Sequence, residues 1–212
     1  MLSDKVNQSL MAYCEANILP RYRNFDKAHR EDHALGVVDA AMKLATYYDV
    51  DVDMIYTAAI YHDTGLVDGR ETHHLASGRI IRADNELRRW FTEDQIETIA
   101  QAAEDHRASG KSEPRSIYGK IIAEADRKII PESIIRRTIQ YGISNYPELS
   151  REEHYQRMLH HLHEKYAEGG YLKLWLPESP NAENLVKLRE IIKDEAALRQ
   201  MFEEIYSEEA CH

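Results

Sequence analysis

Apolar residues recur every three or four positions along almost the whole chain, and that spacing leaves room for little but a helical fold. Between Asp32 and Tyr48 they fall at Leu35, Val38, Met42, Ala45 and Tyr48, the pattern of one buried helical face. Met54, Ile55, Ala58, Ala59 and Tyr61 repeat it on a next helix, which runs into the doublet His62-Asp63. Thr92-Glu93-Asp94-Gln95 fits a capping box ahead of a stripe at Ile96, Ile99, Ala100 and Ala103. Ser150-Arg151-Glu152-Glu153 fits a second, opening a helix through Met158, Leu159 and Leu162. A last long segment carries Leu185, Leu188, Ile192, Leu198, Met201, Phe202 and Ile205. No alternating strand and no Asn-Gly hairpin turn interrupts the series.

Breaks fall at Pro20, around Gly65 to Gly69, at Gly110 to Pro114, at Pro131, at Pro147 and from Gly169 to Pro180. These are short connectors, and none has the length or composition of an interdomain linker. The expected architecture is one all-α domain over residues 1–212, a multi-helix bundle in which helices over 150–206 pack on the rest. At a typical ~11 residues per helix the chain holds roughly eight to ten of them.

Composition limits the partners. The 212 residues are 43% hydrophobic, enough for a sizeable core, and 37 acids against 27 bases leave a net charge of −10. An acidic chain repels polyanions, which argues against extended nucleic-acid binding or an anionic membrane surface. A small anion stays open, because a metal or a few local cations reverse the field inside one pocket. Cys14 and Cys211 sit near opposite ends and form no disulfide framework. The opening stretch MLSDKVNQSLMAYCEANILP carries charges and amides throughout, unlike a signal peptide, and nothing approaches the ~18 apolar residues of a membrane span. The expected location is cytoplasmic, with homo-oligomer formation left open.

Eleven histidines are unusual for this length, and their positions carry the chemistry. His33, His62-Asp63 and Asp126 each lie in or at the end of an expected helix, on or beside its apolar face. A carboxylate there is expensive unless its desolvation is compensated, and a metal ion is one compensation. Two imidazoles and two carboxylates suit a divalent ion such as Mn, Fe, Zn or Mg, with Ni and Co not distinguishable from them. The same set leaves coordination positions open for water and substrate, as catalytic sites do.

This order resembles the H…HD…D signature of the HD-domain superfamily of metal-dependent phosphohydrolases. The flanks match as well: KAHREDHALGVV, AAIYHDTG, HHLASGRII, AAEDH and KIIAEADR follow one another, and RRTIQYGIS resembles the stretch after the last element in small bacterial members. The likeness covers about residues 25–145. Any one of the four residues alone reads better as a packed histidine or a helix-terminal aspartate, but four in order with matching flanks reverse that. The resemblance implies an all-α bundle around a central metal, hydrolysing a phosphoester or phosphoanhydride. Its two-metal members place two further histidines between the doublet and the last Asp. His74 and His106 occupy that interval, and His73 is able to replace His74 because adjacent helical residues point about 100° apart. With both bound, Asp63 would bridge two ions; otherwise they touch substrate phosphate or line the pocket. One or two ions are therefore expected.

Several branches of the family carry an acid pair three residues after the doublet, where this chain has Leu66 and Val67. That departure weakens a transfer of alarmone hydrolysis. Asp68, a turn further on, is the candidate general base, against a simple Asp-Gly turn. Arg79, Lys120, Arg127 and Lys165 are candidate cations for substrate phosphate. His29 is expected in an exposed loop, and His154, His160, His161 and His163 on a solvated helical face. The implied substrate is a nucleotide or other small phosphorylated molecule. Two alternatives belong to other classes: a mixed-valent di-iron oxygenase on the same fold, and a metal-binding regulatory module without turnover.

Overall fold

The computed structural model describes residues 5–26, 29–107 and 112–210. Among them it is all-α, with ten α-helices joined by short turns and no strand. The chain divides into two compact units, Met1–Arg127 and Lys128–His212. The division leaves no compositional trace, because one helix ends at Asp126 and the next begins at Pro131.

The first unit holds α1 (Gln8–Asn17), α2 (Glu31–Ala45), α3 (Val52–Tyr61), α4 (His73–Ala83), α5 (Glu93–Glu104) and α6 (Ile117–Asp126). Its axle is α3, which packs against α1, α2, α5 and α6. Every residue from Met54 to Tyr61 is buried. The cause is local: after Asp53 the run MIYTAAIY carries no charged residue, so no face of it prefers water. Asp51 caps its start by accepting from the Asp53 amide at 2.9 Å. The Thr92–Gln95 capping box forms at the head of α5. On α2 the buried face is Ala34, Val37, Val38, Ala41, Met42 and Ala45, while Leu35 is 46% exposed. The expected stripe was therefore one residue out of phase at its start.

A 3-10 turn at Thr64–Asp68 packs on α4. Gly65 permits the approach, since a Cβ there would collide with the His73 carbonyl and the Ser77 amide. The Gly65 N–H donates to Ser77 Oγ at 2.9 Å, so the segment after the doublet is pinned to the helix opposite.

The second unit comprises α7 (Pro131–Asn145), α8 (Arg151–Tyr166), α9 (Pro180–Lys193) and α10 (Glu195–Glu209) around Ile135, Ile139, Met158, Leu162, Leu188, Leu198 and Phe202. The Ser150–Glu153 capping box opens α8. The last apolar segment is broken at Asp194, which terminates α9 and caps α10 by accepting from the Ala197 amide at 3.0 Å. His154 is buried with its ring 5.6 Å from Tyr206, a correction to the solvated face expected for it. His160 and His163 are exposed. Cys14 is a buried free thiol whose pKa burial pushes up to about 12; Cys211 lies outside the described residues. Among those residues no helix is long and apolar enough to cross a membrane.

Candidate metal centre

The doublet emerges where α3 ends, so its two side chains are delivered into the core: His62 is fully buried and Asp63 is 3% exposed. Tyr22, fully buried beneath them, holds that helix end in place. Its hydroxyl donates to the Ile60 carbonyl at 2.9 Å and accepts from the Asp63 amide at 3.3 Å. Thr64 Oγ1 donates to the Tyr61 carbonyl at 2.7 Å. Backbone groups left over at the helix terminus are thus satisfied without water.

His33 reaches the doublet from the first turn of α2. Its Nε2 lies 3.2 Å from His62 Nε2, 3.4 Å from Asp63 Oδ2 and 3.3 Å from Asp126 Oδ1 at the end of α6. His62 Nε2 is 3.3 Å from the same Asp63 oxygen and 3.7 Å from Asp126 Oδ1. The other oxygen of Asp63 faces a second pair. Oδ1 is 3.3 Å from His73 Nε2 and 3.4 Å from His106 Nε2, and those nitrogens are 3.1 Å apart. Two three-residue groups, His33-His62-Asp63 and Asp63-His73-His106, therefore share one carboxylate.

The outer ring nitrogens decide what the inner ones offer. His62 Nδ1 meets the Ala59 carbonyl at 2.7 Å, His73 Nδ1 the Arg70 carbonyl at 2.7 Å, and His106 Nδ1 the Ala103 carbonyl at 2.5 Å. A carbonyl only accepts, so each Nδ1 carries the hydrogen, and the neutral ring turns its Nε2 lone pair inward. Lone pairs facing one another at 3.1–3.2 Å repel unless a cation or proton sits between them. The donor set fits a divalent ion on that ground. In its absence a proton serves: burial disfavours the His33 imidazolium, yet the Asp126 and Asp63 carboxylates outweigh it and hold the pKa at about 10. Burial likewise works against the charge on Asp63, but a proton held on His62, His106 or His33 around it favours the carboxylate form and lowers its pKa.

The position expected at His74 is taken by His73. Both lie in the first turn of α4, but only His73 faces Asp63, whereas His74 Nδ1 is buried with no hydrogen-bond partner. Burial and the nearby Arg107 charge lower the His74 pKa to about 4. Asp68 sits on the outer side of its 3-10 turn, where it pairs with Arg79 at 3.1 Å, both more than half exposed. The two form a surface ion pair. Lys120 is engaged by Glu113 at 2.5 Å. Arg127 is nearly buried, with Nη1 3.4 Å from Glu124. Lys165 belongs to α8 of the second unit, its ammonium over the Tyr166 ring. His29 is bound through Nδ1 to Asp26 at 2.8 Å, its ring 5.6 Å from that of His33. Tyr22 and Ser77 gave no sequence signal, since a buried tyrosine and a helical serine are ordinary on their own.

Residues 30–128 match the family model of the HD domain, a span that contains His33, His62, Asp63, His73, His106 and Asp126. The chain carries an HD domain. No curated protein and no solved structure matches it. The HD domain belongs to a superfamily of metal-dependent hydrolases, most of them phosphohydrolases, and the histidines and aspartates clustered here suit a divalent metal site.

Proposed function

We propose that this HD domain hydrolyses a nucleotide or another small phosphate ester or anhydride, using two divalent ions that share Asp63. The observation that supports the reading is the division of the Asp63 oxygens, one toward each histidine pair. His33, His62 and Asp126 would complete one ion's protein ligands, and His73 and His106 the other's. When bound, such ions supply a nucleophile at neutral pH and polarise a phosphoryl oxygen.

The chain's own residues do the positioning. Backbone carbonyls at Ala59, Arg70 and Ala103 hold three imidazoles in one tautomer and one orientation, and Tyr22 holds the Asp63 backbone. His33 and Asp126, with side chains 25% and 23% exposed, lie on the open side of the cluster, whereas His62, Asp63 and His106 form a floor closed to water. Substrate would therefore enter between α2 and the end of α6. A small phosphorylated molecule is the proposed partner, acting without nucleic acid or membrane, and the proposed location is the cytoplasm.

The test is metal analysis of protein purified without chelator, followed by a phosphoester panel under Mn, Fe, Zn, Mg, Ni and Co. The reading requires about two ions per chain and phosphate release that Asp63→Ala abolishes while helicity persists. Iron with oxygen uptake and no phosphate release would replace it by a di-iron oxygenase. Bound metal with complete inactivity would replace it by a regulatory module.

A further inference from the structure

Arg107 follows His106 directly, at the end of α5, and is half-buried. Its Nη1 donates to the Glu71 carbonyl just before α4, which fixes the direction of the guanidinium. Glu71 stands two residues before His73, so this bond holds the charge at the head of α4, next to the histidine pair. Yet among the described residues no carboxylate pairs with it. The acids beside it in sequence are committed elsewhere: Glu104 binds Arg82 at 2.5 Å and Arg115 at 2.7 Å, and Asp105 binds Arg115 at 2.9 Å. Several other arginines of this unit have carboxylate partners, as in Arg79–Asp68, Arg88–Glu93 and Arg89–Glu86.

A half-buried guanidinium with only a carbonyl partner keeps its full charge while losing part of its hydration. Set beside His73 and His106, that charge also opposes a cation at the very residues whose lone pairs invite one. Both penalties vanish when an anion lies between them. A guanidinium has five N–H donors in a planar fork, and one bond to Glu71 leaves others free for two oxygens of a tetrahedral oxyanion.

We propose that Arg107 binds the non-bridging oxygens of the substrate phosphoryl group on the His73–His106 side of the site. The inference rests on the phosphohydrolase reading and names the group that recognises the substrate's charge. Anchoring by Glu71 means the side chain is ordered before substrate arrives, so little rotamer freedom is lost on binding.

The experiment titrates inorganic phosphate into the full-length, Mn-loaded protein by calorimetry and measures metal content on the same samples. Compared are the unmodified chain, Arg107→Ala, Arg107→Lys and Arg21→Ala, whose exposed guanidinium also bonds only a carbonyl. Arg107→Ala should weaken phosphate binding about 10- to 100-fold, the worth of a charge-assisted hydrogen bond, with metal content unchanged. Arg107→Lys should recover part of the loss, because it keeps the charge without the fork, and it serves alone if the alanine variant does not fold. Arg21→Ala should match the unmodified chain. The proposal is overturned if phosphate does not bind the unmodified protein, if affinity in both Arg107 variants stays within about twofold of it, or if metal is lost in step with phosphate. Arg107-dependent phosphate binding in a protein that cleaves no phosphoester would uphold the inference and remove the hydrolase reading. Hydrolysis with phosphate affinity indifferent to Arg107 would do the reverse.

Discussion

The adjacent histidines at the head of α4 allow the sharpest test of the site, because one helical step separates two different assignments. His73 Nε2 is 3.3 Å from Asp63 Oδ1 and 3.1 Å from His106 Nε2, and its Nδ1–H is held by Arg70. His73→Ala leaves only Asp63 and His106 on that side. Loss of even an outer-sphere partner weakens metal binding 10–100-fold, so loss of this ligand should reach at least about 100-fold. At saturating metal that removes about 2.7 kcal/mol of ligand-linked stability, or roughly 5–10 °C of melting temperature in a chain this size. His74→Ala removes a buried ring nitrogen that has no partner, which relieves a desolvation penalty and takes no donor from the cluster. Its metal content should equal that of the unmodified chain.

The assay is metal stoichiometry after gel filtration, with a chelator competition for affinity and melting curves with and without added metal. His73→Ala should fall from two ions toward one and keep the ion held by His33, His62 and Asp126. Loss of an ion from His74→Ala, with both retained in His73→Ala, would refute the reasoning and put the ligand at the neighbouring position.

Tyr22→Phe should destabilise the metal-free protein by about 1–3 kcal/mol in urea unfolding, because it strands the buried Ile60 carbonyl and Asp63 amide; an unchanged midpoint would contradict this. In metal-free protein His33 titrates near 10 instead of 6.5, so its stabilising contribution is complete below about pH 6.5 and disappears as pH rises through 10. Melting temperature under chelator should fall across that window, and a flat profile would count against the His33–carboxylate contacts.

Most of the fold was legible because helix signals are local. The capping boxes at Thr92 and Ser150 each need four residues, and both form. What failed was whatever depended on distant parts of the chain. Leu35 was assigned inward on spacing, but the helices meeting α2 cover the face through Ala34 and Val38 instead. His154 lies on a polar helix and is buried only because Tyr206, some fifty positions later, covers it. Asp194 punctuates the last apolar run with one side-chain hydrogen bond, which spacing alone does not reveal.

In the site, the doublet, His33, His106 and Asp126 could be picked out because their order and flanks are distinctive. Between His73 and His74 the sequence was silent, since both occupy the first turn of one helix and the choice depends on where Gly65 lets that helix rest. Asp68 looked catalytic from its distance to the doublet, but the 3-10 turn carries it outward to Arg79. Arg107 offered no signal at all. Its distinction lies in a missing acid and in a carbonyl 36 positions away, neither visible in the letters around it.

Charge is where the two levels meet. A chain of net charge −10 is a poor attractor for an anionic substrate at long range, but at physiological salt that field is screened within about 8 Å. The local sum decides instead. Asp63 and Asp126 bring two negative charges to the cluster, and His62, His73 and His106 bring lone pairs. One divalent ion would merely cancel the two carboxylates. Two would leave a double positive charge, to which Arg107 adds a third, all with little water to screen them. An acidic protein that takes a phosphate thus needs the second histidine pair for its field as much as for its chemistry. Phosphate affinity should accordingly fall more steeply on loss of the His73–His106 ion than on a salt increase from 0.05 to 0.2 M, and the opposite ranking would argue against two ions.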